Sequence, residues 1–333
     1  MVCKLNKALY GLKQAPRAWY ETFSSFMNTL NLKPLKSDYA VFANYDRTLF
    51  VAVYVDDILI FSNSKNDILN VKNSLHQRFD MSNMGPAHLY LGMQIIRDRT
   101  SNTIMLNQQK YLRIVLERFN MSNCNHVSTP METGLKLYKR TDPAPSNEVH
   151  QYQRMIGCLE YAATATRPDI TFAVHKLAQY ASNPDSSHFN AVKRILRYLK
   201  GSLNFGLVFK GNKTNNFQLV GYTDADWAGN TCDRKSIGGY CFYLNNNLIS
   251  HMSKKQKTIA LSTAESETHA AVQATKEAIW LRNMLGELNL SQNQATPILC
   301  DNQAAIALSR NQNITQDPNM LIYSIIFFVN TLI

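Results

Sequence analysis

The chain has 333 residues, of which 45% are hydrophobic, so global disorder is excluded and there is room for two or three domains with cores of their own. The formal net charge of +11 favours a polyanionic partner, nucleic acid first, although a basic protein without such a partner would carry the same charge. The six cysteines form no CxxC pair, so we expect reduced, buried thiols in an intracellular protein and no structural zinc site.

Neither end of the chain predicts a membrane role. No secretory signal pattern opens the sequence. The apolar stretch at its end, "MLIYSIIFFVNTLI", is about fourteen residues long, whereas a spanning helix needs about twenty. We therefore expect no membrane segment.

The first part of the chain alternates between helix and strand signals. Apolar residues at helical spacing predict helices over 17–31 and 65–79, and two arms rich in branched and aromatic residues predict a hairpin over 49–61. A second strand pair is predicted over 88–108, where polar residues separate the arms.

The first hairpin, "LFVAVYVDDILIF", encloses two adjacent acids, Asp56 and Asp57. We expect both at its tip among apolar neighbours, where an ionised carboxylate without a partner is costly. Asp is an ordinary turn residue, but a two-residue hairpin turn favours Asp-Gly or Asn-Gly, because both central residues need positive φ. Two carboxylates facing one point suit Mg²⁺ or Mn²⁺ and the chemistry of phosphoryl transfer, which is the candidate function.

The middle of the chain predicts an irregular segment followed by helices. Residues 126–148 carry prolines and polar side chains without periodicity, which indicates a linker or a surface loop, and residues 150–200 are predicted to be helical. One face of the last predicted helix is apolar, while Lys193, Arg197 and Lys200 share a neighbouring face. That basic face could contact phosphates, and a solvated surface would explain it equally well.

From residue 216 onward the pattern changes to short strands. Four strands are predicted over 216–227, 236–244, 247–253 and 257–262. A long helix over 262–285, a fifth strand over 296–302 and a last helix over 303–311 follow. Strands followed by alternating helix and strand indicate a mixed sheet flanked by helices.

Two glutamates of the long helix have different expected roles. Ser262 followed by Glu265 fits a capping box, in which the acid reaches back to the first turn, so Glu265 has a structural role. Glu267 instead lies on a stripe of small and apolar residues, spaced alternately by three and four, that faces the sheet. An acid that points inward needs a partner.

Two further acids offer such a partnership, because Asp224 and Asp301 end two strands of the same predicted sheet. Ligand sites in such sheets lie beyond the carboxyl ends of strands, and a shared divalent cation is the simplest solution. The alternative is a buried salt bridge from Glu267 to a nearby cation, for which the candidates are Lys254, Lys255 and Arg234.

These motifs resemble the Pol polyproteins of copia-type LTR retrotransposons. The segments "KLNKALYGLKQAPRAWY", "VYVDDILIF", "YLGMQI" and "VSTPM" are similar to the reverse transcriptase region, and "GYTDADWAGN", "LSTAESETHAA" and "LCDNQAAIALS" to the ribonuclease H region. The resemblance covers nearly all of residues 2–312.

The resemblance implies an α+β or α/β multidomain chain. The implied parts are a partial reverse transcriptase palm over 1–125 and a linker with helical thumb or connection over 126–215. They are followed by a ribonuclease H-like mixed sheet flanked by helices over 216–312 and a divergent apolar tail over 313–333.

For the polymerase, the resemblance implies that Asp56 and Asp57 are the metal-binding acids of the Tyr-x-Asp-Asp motif that begins at Tyr54. Gln14 belongs to the motif near the incoming nucleotide and template, and its neighbours Lys13 and Arg17 are implied phosphate contacts. Mg²⁺ or Mn²⁺ holding nucleotide phosphates would neutralise the acids. The implied partners are an RNA template, an RNA–DNA hybrid and deoxynucleotides.

For the ribonuclease, the resemblance implies that Asp224, Glu267 and Asp301 are metal-binding carboxylates. The basic, His-containing segment that follows in the family has no match, and Asp317 is not assigned a role. Three of the four carboxylate positions are thus present, which leaves room for weak metal-dependent cleavage.

The polymerase departs further from the family pattern. The family takes another metal-binding Asp from a strand before "YGLKQAP", and the first acid of this sequence is Glu21. A metal site without a principal ligand positions its ions poorly, so we expect no polymerase activity from this chain alone. The alternative to an enzyme is a non-catalytic remnant that binds nucleic acid.

Overall fold

The structure is a computed structural model that describes residues 8–9, 11–211, 217–230 and 232–310. The described part contains eight α-helices and three four-stranded sheets, a mixed α and β architecture as the sequence predicts. The predicted tail over 313–333, which contains Asp317, lies outside the described residues, and so does Cys3.

The chain packs into two compact units. Among the described residues, the first comprises those up to Ala87 together with Trp280–Ser291, and the second comprises His88–Ile279 and those from Gln292 to Arg310. The predicted domain boundaries remain predictions, because packing units need not coincide with the domains of a sequence family.

The first unit contains one antiparallel sheet with the strand order β1-β2-β3-β4. Its elements in chain order are α1 (Ala15–Thr29), β1 (Lys33–Pro34), β2 (Val41–Ala43), β3 (Leu49–Tyr54), β4 (Asp57–Ser62) and α2 (Lys65–Arg78). Both helices fall where the apolar spacing predicts them. Side chains of α1, α2 and the two central strands form one core, in which Phe23, Phe42 and Val51 are fully buried.

The second unit begins with a sheet and a helical layer. Its elements are β5 (Leu89–Tyr90), β6 (Met93–Asp98), β7 (Thr103–Asn107), α3 (Gln109–Arg118), α4 (Ser146–Ala165), a short 3₁₀ helix (Pro168–Ile170), α5 (Thr171–Ala178), α6 (Ser186–Gly201) and β8 (Gly206–Lys210). The strand pair predicted over 88–108 is confirmed, and β8 adds a further strand beside β7. The four α-helices share an apolar core.

The segment predicted as a linker has neither helix nor strand over 126–145, but it packs against the helices. Leu137 is 2% exposed, and the Tyr180 hydroxyl donates to its carbonyl at 3.1 Å. The basic face of α6 holds a neighbouring loop, since Arg197 Nε donates to a backbone carbonyl at 2.7 Å and the Lys200 ammonium donates to another. The structure therefore favours a packing role for two of the three basic residues on this face.

The rest of the second unit is built on a mixed sheet with the strand order β11-β10-β9-β12. Its elements are β9 (Leu219–Asp226), β10 (Ile237–Leu244), β11 (Asn247–Lys255), α7 (Thr263–Glu287), β12 (Ile298–Leu299) and α8 (Gln303–Arg310). The part of α7 from Trp280 onward belongs to the first unit. The first three strands are antiparallel, and β12 runs parallel to β9. The mixed sheet predicted from the sequence is thus confirmed.

The conformations of the β10–β11 turn and of the segment between β11 and α7 depend on particular side chains. Asn245 and Asn246, at φ 49° and 63°, form the two-residue turn between β10 and β11, a conformation that Asn tolerates. The strand predicted over 257–262 is wrong, and the segment is irregular. A carbonyl that a sheet ladder would use accepts a side-chain hydrogen bond instead, from Trp227 Nε1 to Ala260 at 3.1 Å.

None of the helices in the described ranges combines the length and the apolar character needed to cross a bilayer.

Candidate metal and nucleic-acid sites

The β3–β4 hairpin places the two predicted polymerase acids at an exposed end of the sheet. Its two-residue turn is Val55-Asp56, whereas Asp57 is the first residue of β4 and pairs with Tyr54 across the ladder. All four residues are exposed. The hairpin and the position of both acids at its tip are confirmed, whereas the expectation of apolar surroundings is wrong, because both acids are exposed. The apolar side chains of the arms pack further back along the strands, so burial imposes no need for a cation here.

The turn is supported from outside by α1. Val55 has a φ of 54°, which a β-branched residue rarely adopts without support from its surroundings. Trp19 supplies that support, because its indole Nε1 donates to the Val55 carbonyl at 2.6 Å. The Trp19 ring also packs against Phe23 and Phe79, with ring centroids 5.6 and 5.4 Å apart. No sequence pattern marked Trp19, because within a helix it is simply one more apolar residue.

The implied nucleotide and phosphate contacts lie at the start of α1. Lys13, Gln14 and Arg17 are all exposed. Gln14 is the N-cap residue but makes no side-chain capping bond, and Arg17 Nε donates to Glu21 Oε1 at 2.8 Å. A pair as exposed as Arg17 and Glu21 contributes little to stability, so Arg17 can exchange it for a phosphate. Within the described ranges, no third acid, Cys or His joins the hairpin acids in a group of metal-ligand spacing.

In α7 the two glutamates have the different surroundings that the sequence predicts. The Ser262 hydroxyl accepts a hydrogen bond from the Glu265 amide at 3.1 Å, and Glu265 Oε2 accepts one from the Leu261 amide at 2.7 Å. Glu265 thus caps the helix, one residue further back than a standard capping box. Glu267 is only 5% exposed, on the same face as the buried alanines of the predicted stripe.

The strand register brings the other two acids together. Leu299 of β12 pairs with Tyr222 of β9, so continuing the parallel register by two residues sets Asp301 beside Asp224. Both acids are exposed. Three possible ligand atoms lie within 4.8 Å of one another: a carboxylate oxygen of Glu267, a carboxylate oxygen of Asp301 and the sulfur of Cys300, the residue before Asp301. Asp224 lies outside this tight group.

Two of the three acids, Glu267 and Asp224, have raised pKa values. Burial, together with the charges of Asp224 and Asp301, raises the pKa of Glu267 to about 7. Desolvation and the nearby Asp301 also raise the pKa of Asp224. No Lys or Arg within the described ranges forms an ion pair with Glu267, and Lys255 pairs with Asp233 at 2.7 Å. The alternative of a buried salt bridge is therefore not supported.

Cys300 is a part of the site that no sequence pattern indicated. Its Sγ donates to Glu267 Oε2 at 3.8 Å, and burial raises the pKa of the thiol to about 11. A thiol is a soft donor that hard cations avoid, so the carboxylate oxygens form the donor set for such a cation. Such a set fits Mg²⁺ or Mn²⁺. None of the five described cysteines forms a disulfide, but only Cys300 is fully buried and Cys232 is exposed, so the expectation of uniformly buried thiols is wrong.

The comparisons with known proteins agree with the motifs. A family model described as reverse transcriptase (RNA-dependent DNA polymerase) matches residues 1–133. The retrovirus-related Pol polyprotein from transposon TNT 1-94 of Nicotiana tabacum is 46% identical over 319 residues, which are 93% of this chain and 24% of that polyprotein. The chain therefore spans about a quarter of the length of this curated relative.

The chain is also similar to a second curated protein and to a solved structure. An uncharacterized mitochondrial protein of Arabidopsis thaliana is 36% identical over 70% of this chain and 94% of its own length. A solved structure of the foamy viral protease-reverse transcriptase dRH in complex with double-stranded DNA matches 91% of this chain and 46% of its own, with 14% identity and a TM-score of 0.24. On the sequence matches, the chain belongs to the reverse transcriptase-containing Pol polyproteins of copia-type LTR retrotransposons.

Proposed function

We propose that the second unit carries a metal-dependent nuclease site of the ribonuclease H type, which hydrolyses the RNA strand of an RNA–DNA hybrid. Asp224, Glu267 and Asp301 are its metal-binding carboxylates. The observation that carries this proposal is the position of Glu267, a buried acid without a cationic partner that faces two more acids. A carboxylate in such surroundings is costly to ionise unless a cation joins it.

The roles of the individual residues follow from their surroundings. The Cys300 thiol and the Ala225 amide donate hydrogen bonds to Glu267, which α7 holds in the interior, so its carboxylate is fixed in position. Asp224 and Asp301 lie at exposed strand ends, where a phosphodiester can approach from solvent. Bound Mg²⁺ or Mn²⁺ would supply Lewis-acid stabilisation of the reacting phosphate.

Cleavage of a labelled hybrid tests this proposal with a matched pair of variants. We expect the purified chain to cut the RNA strand in Mg²⁺ or Mn²⁺ and to stop cutting in EDTA. Glu267→Gln should lower the rate at least about a hundredfold, because removal of a metal ligand costs no less than removal of a residue that orients one. Glu265→Gln makes the same chemical change two residues away and should retain the activity.

Two results would contradict the nuclease proposal. Equal cleavage by both variants would show that Glu267 is not a metal ligand. Salt-sensitive hybrid binding with no cleavage under any metal condition would support the alternative, a non-catalytic nucleic-acid-binding protein.

We further infer that Asp56 and Asp57 form a polymerase-type metal site, because the reverse transcriptase match covers their hairpin and Trp19 holds its turn in place. The implied partners of this site are an RNA template and deoxynucleotides. That this chain alone has no polymerase activity remains a prediction.

A further inference from the structure

A basic groove of about 470 Å³ lies in the second unit, between the end of β11, the loop that follows it and one flank of α7. We name it the lysine groove. Its lining contains no Asp or Glu, and the basic residues that line it are Lys254, Lys255, Lys257, His269 and Lys276.

Three of the four lysines are available to a ligand. Lys255 is occupied by its ion pair with Asp233. Lys254, Lys257 and Lys276 are exposed and form no ion pair within the described ranges. Three ammonium groups around one groove without a carboxylate among them repel one another, and an anionic ligand would relieve that repulsion.

The loop that carries Lys257 is held in place by polar contacts. Lys235 Nζ donates to the Lys257 carbonyl at 2.7 Å, and Gln256 Nε2 donates to the Ser266 carbonyl on α7 at 2.8 Å. The lysine groove is therefore largely preformed, which lowers the entropic cost of binding.

The dimensions of the groove suit a polymer of phosphates. From His269 to Lys276 the helix rises about 10 Å, and one strand of a nucleic-acid duplex carries one phosphate per about 3.4 Å of the axis. About three phosphates of one strand would thus pass along the groove. Lys254 lies across β10 from Ala225, the residue after Asp224, so a strand bound at the acids can continue into the groove.

We propose that the lysine groove binds the sugar–phosphate backbone of the hybrid beyond the cleaved bond. The identity of the ligand rests on the proposed nuclease function, whereas the groove is formed by residues other than the three acids. The groove thereby adds affinity and register without taking part in the chemistry.

Fluorescence anisotropy with a labelled RNA–DNA hybrid in EDTA tests this inference. The triple variant Lys254→Ala, Lys257→Ala, Lys276→Ala should bind at least about tenfold more weakly, and the slope of log K against log salt should become shallower by about one for each lysine removed. The triple variant Lys110→Ala, Lys136→Ala, Lys139→Ala removes the same charge from exposed positions of the same unit and should change both quantities less. Replacement of the three groove lysines by Arg should restore binding.

The outcomes separate the groove from the nuclease. If the groove variant binds with wild-type affinity and salt slope while the hybrid is still cut, the groove inference fails and the nuclease proposal stands. If the wild-type protein never cuts but the groove variant loses binding, the nuclease proposal fails and the groove stands. The groove could instead bind free phosphate, which calorimetric titration with inorganic phosphate tests. Saturable phosphate binding that the groove variant loses, with hybrid affinity unchanged, would overturn the proposal that the groove binds the sugar–phosphate backbone.

Discussion

Glu265 and Glu267 stand two residues apart on α7, and their surroundings decide what each can do. Glu265 accepts a backbone hydrogen bond at the start of the helix. Glu267 is buried beside two other acids. The difference follows from helix geometry, because a shift of two positions turns a side chain by about 200° around the axis. The two residues therefore form a matched pair for mutation.

Glu267 should make the metal-free protein less stable as the pH rises. Its pKa in the folded state is about 7, above the ordinary value of 4.5, so the folded state holds the proton more tightly than the unfolded state does. The free energy of unfolding therefore falls between pH 4.5 and about 7 and stays low above that range. Glu267→Gln should reduce this fall, of which the raised pKa of Asp224 contributes the rest, and should raise the free energy of unfolding at pH 8 by on the order of 2 kcal/mol.

Urea unfolding at pH 5 and pH 8 in EDTA measures this effect. Glu265→Gln should retain the pH dependence of the wild type. The same loss of stability between the two pH values in Glu267→Gln as in the wild type would show that Glu267 is not the titrating group.

At the scale of elements, the hairpin that carries Asp56 depends on a contact from α1. The ladder of β3 and β4 leaves Val55 at a positive φ, and the Trp19 indole bonds its carbonyl. Helix and hairpin thus fix the position of the acids together.

Trp19→Phe should loosen the hairpin without dismantling the core. Phe retains the packing against Phe23 and Phe79 but cannot donate to Val55, a loss of about 1 kcal/mol. Hydrogen exchange at the amides of 54–58 should become about fivefold faster. Trp227→Phe loses an indole hydrogen bond in the other unit and serves as the control, since it should leave these amides unchanged. Unaltered exchange in Trp19→Phe would contradict a supporting role for this bond.

These elements also show what a sequence can and cannot predict. The inward position of Glu267 was predictable, because helical spacing is a local property. The turn at Val55 was not, because its conformation relies on Trp19, which is 36 residues away. The false strand over 257–262 and the thiol contact of Cys300 have the same explanation, since Trp227 and Glu267 reach them only in the folded chain.

At the scale of the whole molecule, a chain with a net charge of +11 keeps a cluster of acids where a phosphate is proposed to react. Positive charge on the rest of the surface attracts nucleic acid, but Asp224, Glu267 and Asp301 by themselves would repel it. Divalent cations between the acids and the phosphate would resolve this conflict. The lysine groove and the acid cluster would then act on neighbouring parts of one ligand.

Direct measurement of Mn²⁺ binding, by the electron paramagnetic resonance signal of the free ion without nucleic acid, tests this account most directly. We predict that the wild type and Glu265→Gln take up Mn²⁺ alike, that Mg²⁺ displaces it, and that Glu267→Gln binds it at least about tenfold more weakly. Equal Mn²⁺ uptake by all three proteins, or none by the wild type, would contradict a metal centre at these carboxylates.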